Sequence, residues 1–184
     1  MTQQTIVIVN TGCANISSVK FALERLGVSV TVSDDPAVIK GADKVFLPGV
    51  GAAGAAMTSI TAKQLIPTLQ GLTQPVLGVC LGMQLMVEQS DEATTGTIDC
   101  LKLLPGHVKR MQAGELRLPH MGWNTVNPTH KNKLINSKED FYFVHSYYFE
   151  CLRKEHILAE TSYGINFTSI VAKENIYGVQ FHPE

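Results

Sequence analysis

The sequence lacks the marks of a nucleic-acid-binding, membrane-spanning or disulfide-stapled chain. Charge of one sign is missing: 15 Lys and Arg stand against 16 Asp and Glu, a formal net charge of −1, so no field exists to gather nucleic acid or an anionic membrane. No apolar run reaches the roughly 18 residues of a spanning helix. The start, MTQQTIVIVN, has neither the basic n-region nor the long apolar stretch of a secretory signal, and a cytoplasmic chain is expected. The 4 cysteines, Cys13, Cys80, Cys100 and Cys151, show no CxxC spacing, which argues against a zinc ribbon and a thioredoxin motif; most should be reduced and buried. The 6 histidines form no HExxH and no helically spaced pair, so no metal is implied, and no cofactor is expected.

What is present is an ordinary globular composition, 45% apolar and 17% charged over 184 residues, enough for one domain with a sizeable core. The first half alternates between β-rich runs and helical patterns, as parallel strands joined by crossover helices do. Strands are expected at residues 6–9, 28–32, 44–47 and 76–79. A helix capped by Asn15 or Ser17 should run to about Leu26 and stop at Gly27. A second should follow the glycines after Pro48 and finish near Pro67, and a third should run from Cys80 to about Ser90. Beyond Gly96 strand-like pieces dominate, at 101–104, 107–111, 141–148, 156–160, 168–172 and 176–181. The fold class read from this is α/β, with a β-rich C-terminal half extending the sheet of a single domain over residues 1–184.

Gly78-Val79-Cys80-Leu81-Gly82 spells G-x-C-x-G where an apolar strand meets a helix, the cysteine form of a nucleophile elbow. Such a turn needs glycines beside the nucleophile, because a Cβ there would crowd a strained backbone. A cysteine at a helix N-terminus faces the positive end of the helix dipole, which favours thiolate. Without the glycines, Cys80 would read as a buried core residue. A thiolate needs a group that can accept a proton and return it to a leaving amine, and histidine suits that task. His182 follows a strand and is separated from Glu184 by Pro183 alone. Residues i and i+2 of an extended segment share a side, so Glu184 can hold the imidazole as the third member of a triad. Of the other histidines, His107, His130 and His156 read as structural or surface residues.

Residues Gly49, Gly51 and Gly54 spell a literal G-x-G-x-x-G, yet the turn follows the third strand instead of the first, and no acid stands near 20 residues downstream, so the dinucleotide reading is weak. An oxyanion hole is a better use of that backbone. One donor would be the amide of Leu81, and a second that of Val50 or Gly51, whose glycine-flanked peptide is free to rotate.

The elbow, the Pro48-Gly49-Val50-Gly51 turn and the closing Gly178-Val179-Gln180-Phe181-His182-Pro183-Glu184 resemble the class I glutamine amidotransferases. Within them, Gly12, Asn15, Ser18, the run Pro119-His120-Met121-Gly122-Trp123-Asn124 and the run Tyr142-Phe143-Val144-His145-Ser146-Tyr147 are similar to the glutaminase subunits of imidazole glycerol phosphate synthase in histidine biosynthesis. The resemblance spans the chain. It implies a flavodoxin-like three-layer sandwich with a mostly parallel central sheet, and hydrolysis of L-glutamine to glutamate and ammonia. It also implies a heterodimer with a (β/α)₈-barrel cyclase that uses the ammonia to make imidazole glycerol phosphate and aminoimidazole carboxamide ribonucleotide. It further implies that Gly49, Gln84 and Glu92, with His145, Ser146 and Tyr147, meet the glutamine, and that Met121, Trp123, Asn124 and Tyr142 meet the barrel. The family continues past its final Glu with a helix, whereas this chain stops at Glu184, from which a mobile Glu184 side chain is expected. Two other readings stand beside this one: the glutaminase of an anthranilate or aminobenzoate synthase, and a flavodoxin-like nucleotide or flavin module using the Gly49 turn.

Overall fold

The computed structural model describes residues 4–12 and 15–184; Cys13, expected to be reduced, lies outside the described residues. The first half is a βα alternation. Strand β1 (Ile6–Val9) leads to α1 (Ile16–Arg25), β2 (Val30–Ser33), α2 (Pro36–Lys40) and β3 (Lys44–Gly49). Helices α3 (Ala53–Ala62) and α4 (Ile66–Gln70) precede β4 (Val76–Cys80) and the short α5 (Leu81–Leu85). The second half adds β5 (Gln89–Ser90), β6 (Ile98–Asp99), β7 (Gly106–Arg110), β8 (His120–Pro128), β9 (Glu139–His145), β10 (Tyr147–Cys151), a 3₁₀ turn (Lys154–His156), β11 (Ile157–Tyr163), β12 (Ile165–Lys173) and β13 (Ile176–Val179).

Nine strands form one sheet in the order β2-β1-β3-β4-β13-β12-β11-β8-β9. The pairings from β2 to β13 are parallel and those from β13 to β9 antiparallel. Alternation along β1 sets the layers. Ile6 and Ile8 pack on Val19 and Leu23 of α1, while Val7 and Val9 enter the core formed with α2, α3, α4 and α5. The antiparallel end curls back: Tyr142 of β9 bridges His182, just past β13, whose amide donates to the Tyr142 carbonyl at 2.9 Å. Phe143, Phe167, Ile170 and Phe181 fill the space so enclosed. A second sheet, β10-β7-β5-β6, completes the fold.

Several expected elements differ, each for a tertiary reason. The helix after Cys80 ends at Leu85 instead of near Ser90, because the amides of Leu101, Lys102, Leu103 and Leu104 take the carbonyls of Leu85, Val87 and Met86 at 2.8 to 2.9 Å. Residues 101–104, expected as a strand, are therefore a cap on that helix, with Leu101 and Leu104 buried. The long helix expected up to Pro67 is two, with Pro67 in the first turn of α4, where its missing N–H costs nothing. Residues 141–148 are two strands that break at Ser146.

Candidate active site

The elbow is built from β4 and α5. Cys80 takes φ 53° and ψ −112°, a conformation that non-glycine residues adopt only where the surroundings impose it. The strain sits on Cys80 itself, and the flanking glycines serve close approach. A Cβ on Gly78 would lie 2.8 Å from the Met83 nitrogen, and one on Gly82 would lie 1.7 Å from the Leu47 carbonyl oxygen. Gly49 is pressed beneath the same turn, 2.8 Å at its missing Cβ from the Gly82 nitrogen and opposite Cys80 in the β3–β4 register. It lies under the elbow and is not among the residues lining the cavity.

His182 reaches Cys80 because β13 pairs with β4, Val179 opposite Val79. Its Nδ1 meets Glu184 Oε1 at 3.0 Å, and both side chains are largely shielded from solvent. The ring's pKa is pushed up to about 10, first by the Cys80 side chain and then by Glu184, against the opposing effect of burial. Burial is the largest single influence on Glu184 and works against its charge, but the bond to His182, a backbone hydrogen bond and the charge of His182 together outweigh it and hold the carboxyl below its usual range. The Glu184 side chain is thus held by the imidazole, where a mobile one was expected. Nε2 is buried and closes no hydrogen bond, so the nitrogen left for the sulfur remains open. Sγ has two weak neighbours, the Val144 carbonyl at 4.0 Å and the Gln180 amide nitrogen at 3.9 Å.

These groups open into a cavity of about 510 Å³ outside the carboxyl ends of β3, β4 and β13, where open α/β sheets bind ligands. Cys80, Leu81, Val50, Gly51 and His182 line it, and Gln84, Glu92, His145, Ser146 and Tyr147 form the rest of the wall with Asn15, Pro119 and Val144. Gly51 has φ +91° with nothing near its missing Cβ. Among the described residues, neither the Val50 nor the Gly51 amide donates to another backbone group. Gln84 is buried, and both of its N–H groups are committed, to the Tyr147 carbonyl and to Gln180 Oε1, each at 2.9 Å. Its own carbonyl oxygen is what it can offer a ligand ammonium. Glu92 Oε2 accepts from the Ala53 amide at 2.9 Å, capping α3 where Ala52 cannot. Burial raises its pKa against that bond. A carboxylate at this helix end repels phosphate, which removes the physical basis of the dinucleotide reading.

Met121 and Trp123 lie on the outer face of β8, 59% and 74% exposed, and Trp123 packs edge-on against its cross-strand neighbour Tyr142. Asn124 is on the other face, donating to His120 Nε2 at 3.1 Å and to the Ser162 carbonyl at 3.0 Å. Sequence reasoning passed over three participants: Asn15 and Pro119 in the wall, and Gln180 behind the sulfur. The signal for Gln180 was position: it stands two residues before His182, on the same side of an extended segment.

His145 and His120 are a directly opposed cross-strand pair with a 3.0 Å hydrogen bond. Burial lowers His145 from 6.5 to about 4, opposed by its bond to the Tyr147 carbonyl and reinforced by His120 and His182, and burial lowers His120 likewise. A histidine kept neutral in the folded state binds fewer protons than the unfolded chain between those values, so stability falls as pH drops from 6.5 toward 4, for His145 by about 3 kcal/mol at full effect. Thermal unfolding across that range should show this slope. A His145→Gln variant, though less stable at pH 7, should show a shallower one; an unchanged slope would contradict the assignment.

Cys100 and Cys151 are free thiols, both with raised pKa, Cys100 to about 12, chiefly through burial. His107 pairs with Asp91 at 2.6 Å and His130 with Thr129 at 2.9 Å, away from the cavity. No helix among the described residues is long and apolar enough to cross a membrane.

A family model described as glutamine amidotransferase class-I matches residues 7–184. The imidazole glycerol phosphate synthase subunit HisH of Idiomarina loihiensis is 51% identical over 180 residues, covering 97% of this chain and 89% of that protein. The subunit HisH of Haemophilus influenzae is 51% identical over 182 residues, again covering 97% and 89%. A crystal structure of a glutamine amidotransferase from Thermotoga maritima superposes with a TM-score of 0.70 at 18% identity, covering 99% of this chain and 76% of that one, which bears on the fold alone.

Proposed function

Because this chain belongs to the class I glutamine amidotransferase family, we propose that it is the glutaminase subunit of an imidazole glycerol phosphate synthase, with Cys80, His182 and Glu184 as its catalytic residues. The observation that carries this is the meeting of Cys80 on its strained turn with an imidazole backed by Glu184 at 3.0 Å. The relatives named for this synthase, at 51% identity, favour it over an anthranilate or aminobenzoate synthase partner.

In the proposed reaction the Cys80 thiolate attacks the side-chain amide carbon of glutamine. A C–S bond forms, and negative charge moves to the carbonyl oxygen. The amides of Leu81 and of Val50 or Gly51 receive that oxyanion, consistent with the place of all three residues in the cavity wall. Protonated His182 gives its proton to the departing nitrogen, the C–N bond breaks and ammonia leaves. Neutral His182 then takes a proton from water as it attacks the thioester, which releases glutamate and restores the thiol. Glu184 holds the ring in place and stabilises its charged form. Glu92 and the Gln84 carbonyl meet the substrate ammonium, with His145, Ser146 and Tyr147 closing the wall and Gly49 supporting the turn from below.

Ammonia released into neutral water is protonated and loses the lone pair it needs for attack, so it must be handed over dry to a partner. We assign that partner as a (β/α)₈-barrel cyclase, making imidazole glycerol phosphate and aminoimidazole carboxamide ribonucleotide for histidine biosynthesis. Its docking face would be the exposed Met121–Trp123–Tyr142 surface, with Asn124 behind it. Tyr142 joins that face to the catalytic histidine, since its carbonyl accepts the His182 amide at 2.9 Å. Trp123→Ala should weaken docking by about 2 kcal/mol, roughly 30-fold in Kd, with the fold unchanged; titration calorimetry against the barrel checks it. The function itself is tested by ammonia release from glutamine with the chain alone, then with the barrel and the barrel's own ligand. A large rise in the full mixture is expected. Equal rates in all mixtures would remove the partner from the account.

A further inference from the structure

We propose that Gln180 is a further catalytic residue whose amide N–H holds the Cys80 sulfur in its attacking position, and that His145, His120 and Asn124 are positioning residues that fix that amide. The proposal rests on the reading of Cys80 as a glutaminase nucleophile.

Gln180 is fully buried, and its backbone amide is anchored to the Ser169 carbonyl at 3.0 Å. Its side chain spans two partners: Oε1 accepts from Gln84 Nε2 at 2.9 Å, and Nε2 stands 3.9 Å from Cys80 Sγ. The amide's orientation follows from the donors available. Gln84 offers an NH₂ group whose other hydrogen goes to the Tyr147 carbonyl at 2.9 Å. Turning Gln180 over would set NH₂ against NH₂ on one side and a carbonyl oxygen against sulfur on the other. The only consistent arrangement aims an N–H at the sulfur.

The Tyr147 carbonyl is the junction of a second chain. It also accepts from His145 Nδ1 at 2.7 Å, which makes Nε2 of that neutral ring an acceptor. His120 Nδ1 meets it at 3.0 Å, and so must carry a hydrogen. His120 Nε2 is then an acceptor in turn, served by Asn124 Nδ2 at 3.1 Å, whose second hydrogen goes to the Ser162 carbonyl at 3.0 Å. Every proton from Ser162 to the sulfur has one assigned direction, with both rings neutral. His120 is clamped in that orientation between Phe143 and Tyr163, at ring centroid distances of 4.9 and 4.0 Å.

Cys80 belongs to a buried cluster with Val79, Phe143 and Phe181, and in such surroundings a preset amide donor counts for more than it would in water. Because the donor touches sulfur and not the glutamine, its loss should fall on the chemical step.

The test is alkylation of Cys80 by a glutamine-mimicking diazoketone, followed by mass spectrometry. The diazo carbon takes a proton, dinitrogen leaves, and the sulfur bonds to that carbon. Gln180→Met, of similar size but with no donor, should lower the maximal alkylation rate roughly tenfold while leaving the half-saturating concentration within about twofold. Gln180→Glu, which sets an acceptor against the sulfur, should lower it at least as much. Unchanged maximal rates, or a change confined to half-saturation, would overturn the inference and leave the glutaminase reading standing. Failure of the unaltered protein to be alkylated at Cys80 would instead overturn that reading. Nitrogen-15 imidazole spectra of the unaltered protein give a check that no substitution can disturb: His120 and His145 should both be neutral and protonated at Nδ1 between pH 6 and 8. A ring protonated at Nε2 would break the chain.

Discussion

With Cys80 replaced by alanine, ammonia release from glutamine falls by at least about 10⁴-fold, while barrel binding and thermal stability stay close to those of the unaltered chain. Removing the sulfur removes the protein's own nucleophile in the proposed reaction, and with no thioester formed the water that His182 activates in the second step has no acyl-enzyme to attack. The effect on stability is small because the Sγ contacts are weak, at 3.9 and 4.0 Å, and because alanine relieves little of the φ 53° strain, which is a property of any Cβ. An ammonia-release assay in the full mixture with the barrel checks the first part and calorimetric titration the second. Substantial turnover without the sulfur would place the chemistry elsewhere.

Gly82→Ala is expected to be the most damaging single methyl group in the protein. The added Cβ would stand 1.7 Å from the Leu47 carbonyl oxygen and 2.8 Å from its carbon. Both are backbone atoms of β3, which cannot yield without moving the strand that presents Val50 and Gly51. A loss on the order of 4 kcal/mol or more follows, lowering Tm by about 10 °C for a chain of this size. Gly51→Ala is the contrast. Nothing lies within 4 Å of its missing Cβ, but φ is +91°, so it should cost about 1–2 kcal/mol through backbone strain alone and act mainly on turnover, by stiffening the peptide that receives the oxyanion. Thermal unfolding separates the two. A Gly82→Ala protein with an unaltered Tm would mean that the helix-to-strand contact is looser than the geometry requires.

What could be read without coordinates was whatever is encoded locally. The elbow declares itself in five consecutive residues, since the nucleophile and the glycines that let α5 ride over β3 are neighbours in the chain. His182 and Glu184 are two residues apart, so strand periodicity alone puts them on one side. The parallel half of the sheet was legible for a similar reason: its strands are short runs rich in Val and other β-branched or aliphatic residues, with Pro or Gly beside β3 and β4.

The features missed depend on partners distant in sequence. Strand β8 carries Gly122, Asn124, Asn127 and Pro128, residues poor in strand propensity, and is a strand because β9 and β11 flank it. The shortness of α5 depends on residues 101–104 arriving to take its last carbonyls. The His120–His145 pair requires the β8–β9 register, which no local pattern fixes. Gln180 was visible as part of the closing motif, but its task depends on Gln84, 96 residues earlier. The G-x-G-x-x-G string is the converse case: a genuine local match, weak already by its place after the third strand, whose helix end is occupied by Glu92.

The central claim, that a covalent glutamyl intermediate forms on Cys80, is tested most directly by acid-quenching the working complex on isotopically labelled glutamine and locating the label by mass spectrometry. The account predicts a glutamyl thioester on the peptide that contains Cys80, with one ammonia released for each thioester formed. Ammonia release at the normal rate with the label on another residue, or on none, would contradict it.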